Sequence, residues 1–277
     1  MTSSQKQINA LKPADYAACA VLANEVGEQM LARLEWVTLD PSLIIDVGCG
    51  VGHCTRELQR RYPKAKVVGV DIAYPMLAFA RQQAEPSEDS CDLARPILWA
   101  SADAAMLPFP DRSVDLIFAN LILPWCHDQE QMLREWRRIL RPDGLLIFTS
   151  LGPDTLKIWR ELLGDITIPN LIDMHDHGDA LTKVRFADPV MDVDYFTLTY
   201  RQIESFFHEL QATGMLVESE DSALMAEAKK NSSPAGFFEA TYEVIFGHTW
   251  GPKEGVDHVA DEFGTVRIPL AHLRRRG

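Results

Sequence analysis

Three acids each follow a short apolar run: Asp46 in Leu43-Ile44-Ile45-Asp46-Val47, Asp71 after Val67-Val68-Gly69-Val70, and Asp103 just beyond Ile97-Leu98-Trp99-Ala100. Carboxylates placed at successive strand ends can accept hydrogen bonds from the hydroxyl and amino groups of a nucleoside. Gly48, Gly50 and Gly52 follow the first acid, and their lack of a Cβ lets the backbone approach a ligand closely. A dinucleotide fingerprint starting at Gly48 or Gly50 requires a third glycine where His53 or Thr55 stands, which argues against NAD. Asp71 lies 19 residues past Gly52, the distance at which doubly wound folds place a ribose-binding carboxylate. It also suits a helix N-cap before Ala73-Tyr74-Pro75-Met76, and the two roles are compatible. Asp103 likewise suits a turn-forming side chain.

The Asp46-to-Gly52 turn resembles the first motif of the S-adenosylmethionine (SAM) methyltransferases, whose ligand carries a sulfonium and an amino acid but no phosphate. That resemblance implies a site built from Asp46, Gly48, Gly50 and Gly52, with Asp71 and Ile72 at the ribose and Asp103 and Ala104 at the adenine. Asn120-Leu121-Ile122-Leu123-Pro124-Trp125 stands where this superfamily covers the methyl donor, although Trp125 is equally suited to a core.

These residues need a scaffold. Apolar runs near 43–47, 66–70, 97–100, 114–119 and 144–150 read as strands. They alternate with helical patterns near 53–61, 75–84 and 128–140, so residues 1–150 predict successive βαβ units with a parallel sheet. Arg141-Pro142-Asp143-Gly144 predicts the turn into the fifth strand. Tyr16, Ala20, Val26, Met30 and Leu34 predict one amphipathic helix over 13–35, able to close over a ligand. Beyond 150 the pattern predicts helices at 153–163, near 178–185 and at 201–213, with strand-like runs at 190–200 and 240–250 that suit an antiparallel edge. The expected organisation is one α/β domain over 1–277. It has a helical cap at 1–40, a SAM-binding core at 41–150, a helical lid at 151–189 and a sheet edge at 190–277. Residues 221–234 predict a loop.

The 277 residues, 47% of them apolar, can bury a full core. A net charge of −13 argues against a nucleic-acid partner. No apolar run reaches membrane-spanning length and residues 1–7 lack a signal-peptide core, so a cytoplasmic protein without a membrane partner is expected. Cysteines 19, 49, 54, 91 and 126 include no Cys-x-x-Cys pair, which predicts neither a disulfide framework nor a zinc site.

The carboxyl-terminal half is more specific. Gly152-Pro153-Asp154-Thr155-Leu156, Asp173-Met174-His175-Asp176-His177-Gly178-Asp179, Phe186-Ala187-Asp188-Pro189-Val190, Tyr242 to Trp250 and Val266-Arg267-Ile268-Pro269-Leu270 resemble the BioC family of malonyl-acyl-carrier-protein O-methyltransferases. The chain departs from relatives at Val184-Arg185, where Ala-Gly is common, and at Ala23, where Gln often follows Leu22. The first 150 residues alone also suit another small-carboxylate or quinone methyltransferase. The Asp-Met-His-Asp segment is also similar to a family of non-methylating assembly factors and protein arginine hydroxylases.

The resemblance implies methyl transfer from SAM to the free carboxylate of malonyl-acyl-carrier protein or malonyl-coenzyme A, opening the pimeloyl part of biotin synthesis. A malonyl carboxylate is already ionised at neutral pH, so alignment and exclusion of water matter more than a catalytic base. Tyr16, His175, Lys183 and Arg185 are the expected substrate-positioning residues. The Asp173–Asp179 acids and histidines offer metal-ligand types, but capping explains acids at a helix start and the reaction needs no Lewis acid, so no metal is expected. An acidic carrier protein would need a local basic patch, for which Arg134-Arg137-Arg138 and Arg274-Arg275-Arg276 are candidates; solvated charged faces are the alternative.

Overall fold

The computed structural model describes residues 11–83, 95–163, 170–216 and 236–252. The expected loop at 221–234, the Val266–Leu270 segment and Arg274–Arg276 lie outside them.

Seven strands form one sheet: β1 (Leu43–Val47), β2 (Lys66–Asp71), β3 (Leu98–Ser101), β4 (Val114–Ala119), β5 (Leu140–Leu151), β6 (Ala187–Tyr200) and β7 (Phe238–Trp250). Their order is β3-β2-β1-β4-β5-β7-β6. The first five are parallel, while β7 runs antiparallel to β5 and β6 antiparallel to β7. This is the expected α/β class: a class I SAM methyltransferase-type, mostly parallel sheet with an antiparallel edge.

Alternation along the strands assigns side chains to the two faces. Ile44, Val67, Leu116, Phe118, Leu145 and Ile147 share one core, while Ile45, Val68, Ile117, Ala119, Leu146 and Phe148 share the other. The first face is covered by α2 (Val21–Arg33), α3 (His53–Arg61) and α8 (Ile203–Ala212), through Val26, Met30, Leu58, Phe206 and Leu210. The second is covered by α5 (Gln129–Ile139) and α7 (Met174–Lys183), through Met132, Leu133, Trp136 and Leu181. Among the described residues the remaining α-helices are α1 (Pro13–Cys19), α4 (Tyr74–Gln83) and α6 (Lys157–Leu163).

Several elements differ from expectation. The helix expected over 13–35 is broken at Ala20, whose ψ of 45° is not helical, giving α1 and α2. The turn at Arg141–Gly144 is a bulge within β5: pairing jumps from Val114↔Leu140 to Leu116↔Leu145, and Asp143 has φ +58°. Helix α6 starts only at Lys157 because the preceding loop is pinned elsewhere. Asp154 N donates to Glu243 Oε2 at 2.7 Å, and Leu156 has φ +51°. Helix α7 starts at Met174, where Asp173 Oδ1 accepts from His175 N at 2.8 Å as an N-cap.

The expected lid helix is a layer element. Leu181, Val184 and Phe186 are buried against the second face with Phe148, so apolar packing places α7 alongside α5. Among the described residues no helix is long and apolar enough to cross a membrane.

Candidate functional site

Strand order reverses between β1 and β4, and in open α/β sheets that crevice beyond the carboxyl ends of the strands is the place for a ligand. A cavity of about 340 Å³ opens there. Its wall uses the exits of four strands: Val47, Gly48 and Gly50 after β1, Asp71 and Ile72 after β2, Asp103 and Ala104 after β3, and Asn120, Leu121 and Ile122 after β4. Helix α1 and the start of α2 add Tyr16, Cys19, Leu22 and Ala23; the segment after β4 adds Trp125 and Cys126; the start of α5 adds Asp128 and Gln131; α8 and its exit add Glu209, Thr213 and Met215.

The glycine turn has left-handed backbone at Gly48 (φ +73°) and Gly50 (φ +51°), a region costly for residues with a Cβ. A Cβ at Gly48 would lie 2.5 Å from Ile122 Cδ1, whereas one at Gly50 would only touch the Tyr16 ring at 3.6 Å. The Asp71 carboxylate organises this region: Oδ2 accepts from Gly50 N at 2.9 Å and Oδ1 from Ala73 N at 2.8 Å. Burial nevertheless raises its pKa, against those lowering amide bonds. Asp103 Oδ1 accepts from Ala105 N at 2.9 Å, the turn role open from sequence, while the residue also borders the cavity.

Asn120 ties three elements together. Its Nδ2 donates to Ala23 O at 2.7 Å and its Oδ1 accepts from Thr149 Oγ1 at 2.7 Å; Thr149 Oγ1 in turn accepts from Leu121 N at 2.9 Å. That last bond helps hold Leu121 at φ +53°, a strained conformation of the kind that clusters at ligand sites.

Tyr16, Gly48, Gly50, Asp71, Ile72, Asp103, Ala104 and Asn120 are thus brought together around one cavity. Asp46 and Gly52 are not on its wall. Asp46 is 1% exposed beneath the turn, accepts from Thr55 Oγ1 at 2.6 Å, and is pushed up to about 7, mainly by burial. Gly52 caps α3, where a Cβ would meet Trp99 at 2.5 Å.

His175, Lys183 and Arg185 are also off the cavity wall, because α7 packs as a layer. His175 Nδ1 lies 2.6 Å from Asp173 Oδ1, Lys183 Nζ donates to Glu130 at 2.5 Å, and Arg185 is an exposed residue at φ +65°. His177 is buried, with its ring edge-on to Phe148 at a centroid distance of 6.1 Å. Among the described residues no three His, Cys, Asp or Glu side chains converge as a metal site.

Sequence reasoning missed the contribution of α8. The available signal was Glu209, an acid on the apolar face formed by Phe206, Phe207 and Leu210. Glu209 is 7% exposed beside the Tyr200 and Tyr242 hydroxyls, and burial raises its pKa. Tyr16 remains protonated at neutral pH, since burial and nearby Asp71 raise its pKa. Among the described residues the cavity wall carries no lysine or arginine.

Residues 45–148 match the family model described as a methyltransferase domain. The chain is 38% identical over 277 residues to the malonyl-[acyl-carrier protein] O-methyltransferase of Halorhodospira halophila, covering 94% of this chain and 91% of that one. It is 38% identical over 257 residues to that of Methylovorus sp., covering 87% and 86%. It is 35% identical over 294 residues to malonyl-[acyl-carrier protein] O-methyltransferase 1 of Coxiella burnetii, covering 99% of each chain.

Among solved structures, the YcgJ protein of Bacillus subtilis superposes with a TM-score of 0.61 at 16% identity, over 82% of this chain and 99% of that one. The SAM complex of Haemonchus contortus phosphoethanolamine N-methyltransferase 2 superposes with a TM-score of 0.54 at 20% identity, over 82% and 53%. These two establish the fold; the near-full-length similarity to the first three goes further, and the chain belongs to the malonyl-[acyl-carrier protein] O-methyltransferase family of SAM-dependent methyltransferases.

Proposed function

We propose that this protein methylates the free carboxylate of a malonyl thioester, with malonyl-acyl-carrier protein as substrate, and thereby opens pimeloyl formation for biotin. The observation that carries this reading is similarity to relatives of that name well beyond the shared core at 45–148, through both terminal regions. It also disfavours the assembly-factor and arginine-hydroxylase alternative. A cytoplasmic setting belongs to the same proposal and suits the free thiols of Cys19, Cys49, Cys54 and Cys126.

The cavity residues fit SAM. The Gly48–Gly50 backbone would allow close approach, Asp71 and Ile72 would hold the ribose, Asp103 and Ala104 the adenine, and Asn120 would border the methyl-bearing end, all of them residues that line this cavity. Its acids suit a ligand with cationic groups, and bound SAM supplies an electrophilic methyl group to a carboxylate that is already ionised.

The protein's own task is then alignment in a dry site. Tyr16, held as a phenol, donates a hydrogen bond that orients the carboxylate without removing a proton. Leu22, Ile122 and Trp125 exclude water around it. The decisive test incubates the pure protein with SAM and malonyl-carrier or malonyl-coenzyme A and follows mass. A gain of one methylene is expected; SAM binding without any such gain on either substrate overturns the proposal.

A further inference from the structure

Cys19 and Glu209 belong to two hollows at once. They line the cavity from inside and also border an open groove on the outer surface, between α1 at Ala18 and α8 at Ser205 and His208. At this shared boundary Cys19 Sγ lies 3.3 Å from His208 Nδ1, joining the two helices. The wall is suited to part there. Helix α1 has no fully buried side chain and is set off from α2 by the non-helical Ala20, so a small displacement of it sacrifices little core packing.

We propose that this groove admits the extended, amide-bearing arm of a thioester substrate to the methyl-donor cavity, passing between Cys19 and Glu209. The inference rests on the carboxyl-methylation reading. Such an arm is uncharged along most of its length and alternates aliphatic carbons with amide groups. The groove offers Ala18, Val21 and the Tyr200 ring as apolar surface, and Ser205, His208 and the Glu204 carboxylate as hydrogen-bonding groups for the amides. Glu209 stands at the inner end, where burial favours its protonated carboxyl. Its carboxyl borders both hollows, where it can accept hydrogen bonds from the amide N–H groups of the passing arm. Because α8 covers one face of the sheet and α5 the other, this route is separate from the arginine-rich surface of α5.

The test narrows the groove from either wall with Ser205→Trp on α8 and Ala18→Trp on α1, both at exposed positions. Steady-state kinetics are measured with malonyl-pantetheine and with malonyl-N-acetylcysteamine, which lacks the distal part of the arm, and calorimetry measures SAM affinity as a check on the fold. For each variant, KM for malonyl-pantetheine should rise about tenfold or more, while SAM affinity and KM for the short thioester change less than about twofold. Unchanged KM values for both thioesters in both variants overturn the groove assignment, as does an equal loss for the two. A wild-type protein that binds SAM but methylates neither compound, nor malonyl-carrier or malonyl-coenzyme A, overturns the carboxyl-methylation reading itself; turnover of malonyl-carrier with none of malonyl-pantetheine overturns the groove assignment alone.

Discussion

Asn120 Nδ2 donates to the main-chain oxygen of Ala23 at 2.7 Å, so the residue that follows β4 also fixes the first turn of α2 over the cavity. Asn120→Ala removes this bond and the acceptor of the Thr149 hydroxyl, leaving partly buried groups without partners. The expected destabilisation is about 1–3 kcal/mol by urea unfolding, accompanied by weaker SAM binding. Asn120→Asp keeps the acceptor for Thr149 but turns a carboxylate oxygen towards the Ala23 oxygen, so it should destabilise at least as much as alanine. A drop in stability with SAM affinity unaltered in both variants reduces Asn120 to a structural strut.

Gly48 and Gly50 should respond differently to alanine. Gly48→Ala drives a Cβ to within 2.5 Å of Ile122 Cδ1 in the cavity wall and imposes a left-handed residue. Gly50→Ala meets only ordinary contact with Tyr16, so its penalty is mainly conformational, on the order of 1–2 kcal/mol. Thermal unfolding should therefore rank Gly48→Ala as the less stable variant, while calorimetry should show reduced SAM affinity for both. Normal SAM affinity in a folded Gly50→Ala protein contradicts the close approach assigned to this turn.

The site was legible where one local segment supplies both the strand and the ligand group. Gly48, Asp71, Asp103 and Asn120 each stand at or just after a strand exit, and a parallel sheet brings such exits to one edge. Asp46 and Gly52 belong to the same motif but point into packing with Thr55 and Trp99, a distinction that spacing cannot express. The α7 residues were misplaced because the polar Asp173–Asp179 run hides a buried stripe, His177 and Leu181, four residues apart. Glu209 escaped notice because its importance depends on α8 meeting α1, a contact between residues nearly two hundred positions apart in the chain.

His177 should make the fold acid-sensitive. Burial pushes its pKa down to about 4, below the ordinary value of 6.5. Above pH 6.5 it is neutral in both folded and unfolded states and has no pH-dependent effect. As pH falls from 6.5 towards 4, the unfolded chain binds a proton that the folded one resists, so stability is lost. The loss is on the order of 2 kcal/mol by pH 5. Urea titrations at pH 7 and pH 5 should show this loss in the wild type and a smaller one in His177→Asn. Equal pH dependence in the two proteins rules out His177 as the cause.

Charge reversal on α5 should separate anchoring from docking. Arg138 donates to Phe109 O at 2.9 Å and Leu107 O at 3.2 Å and pairs with Glu135 at 2.7 Å and Asp111 at 2.6 Å. Arg138→Glu should therefore lower the melting temperature and impair turnover of malonyl-carrier and malonyl-coenzyme A alike. Arg134 is largely exposed and shares Glu130 with Lys183, an arrangement that contributes little to stability. If the substrate arm enters between α1 and α8 on the opposite face, Arg134→Glu should alter kcat/KM for malonyl-carrier by less than about twofold across a salt series. A carrier-selective loss that fades as salt increases, with malonyl-coenzyme A turnover intact, would instead place the acidic partner on α5. That outcome would restore the basic-patch expectation and require the carrier's arm to reach the cavity past Asp128 and Gln131, which line it at the start of the same helix.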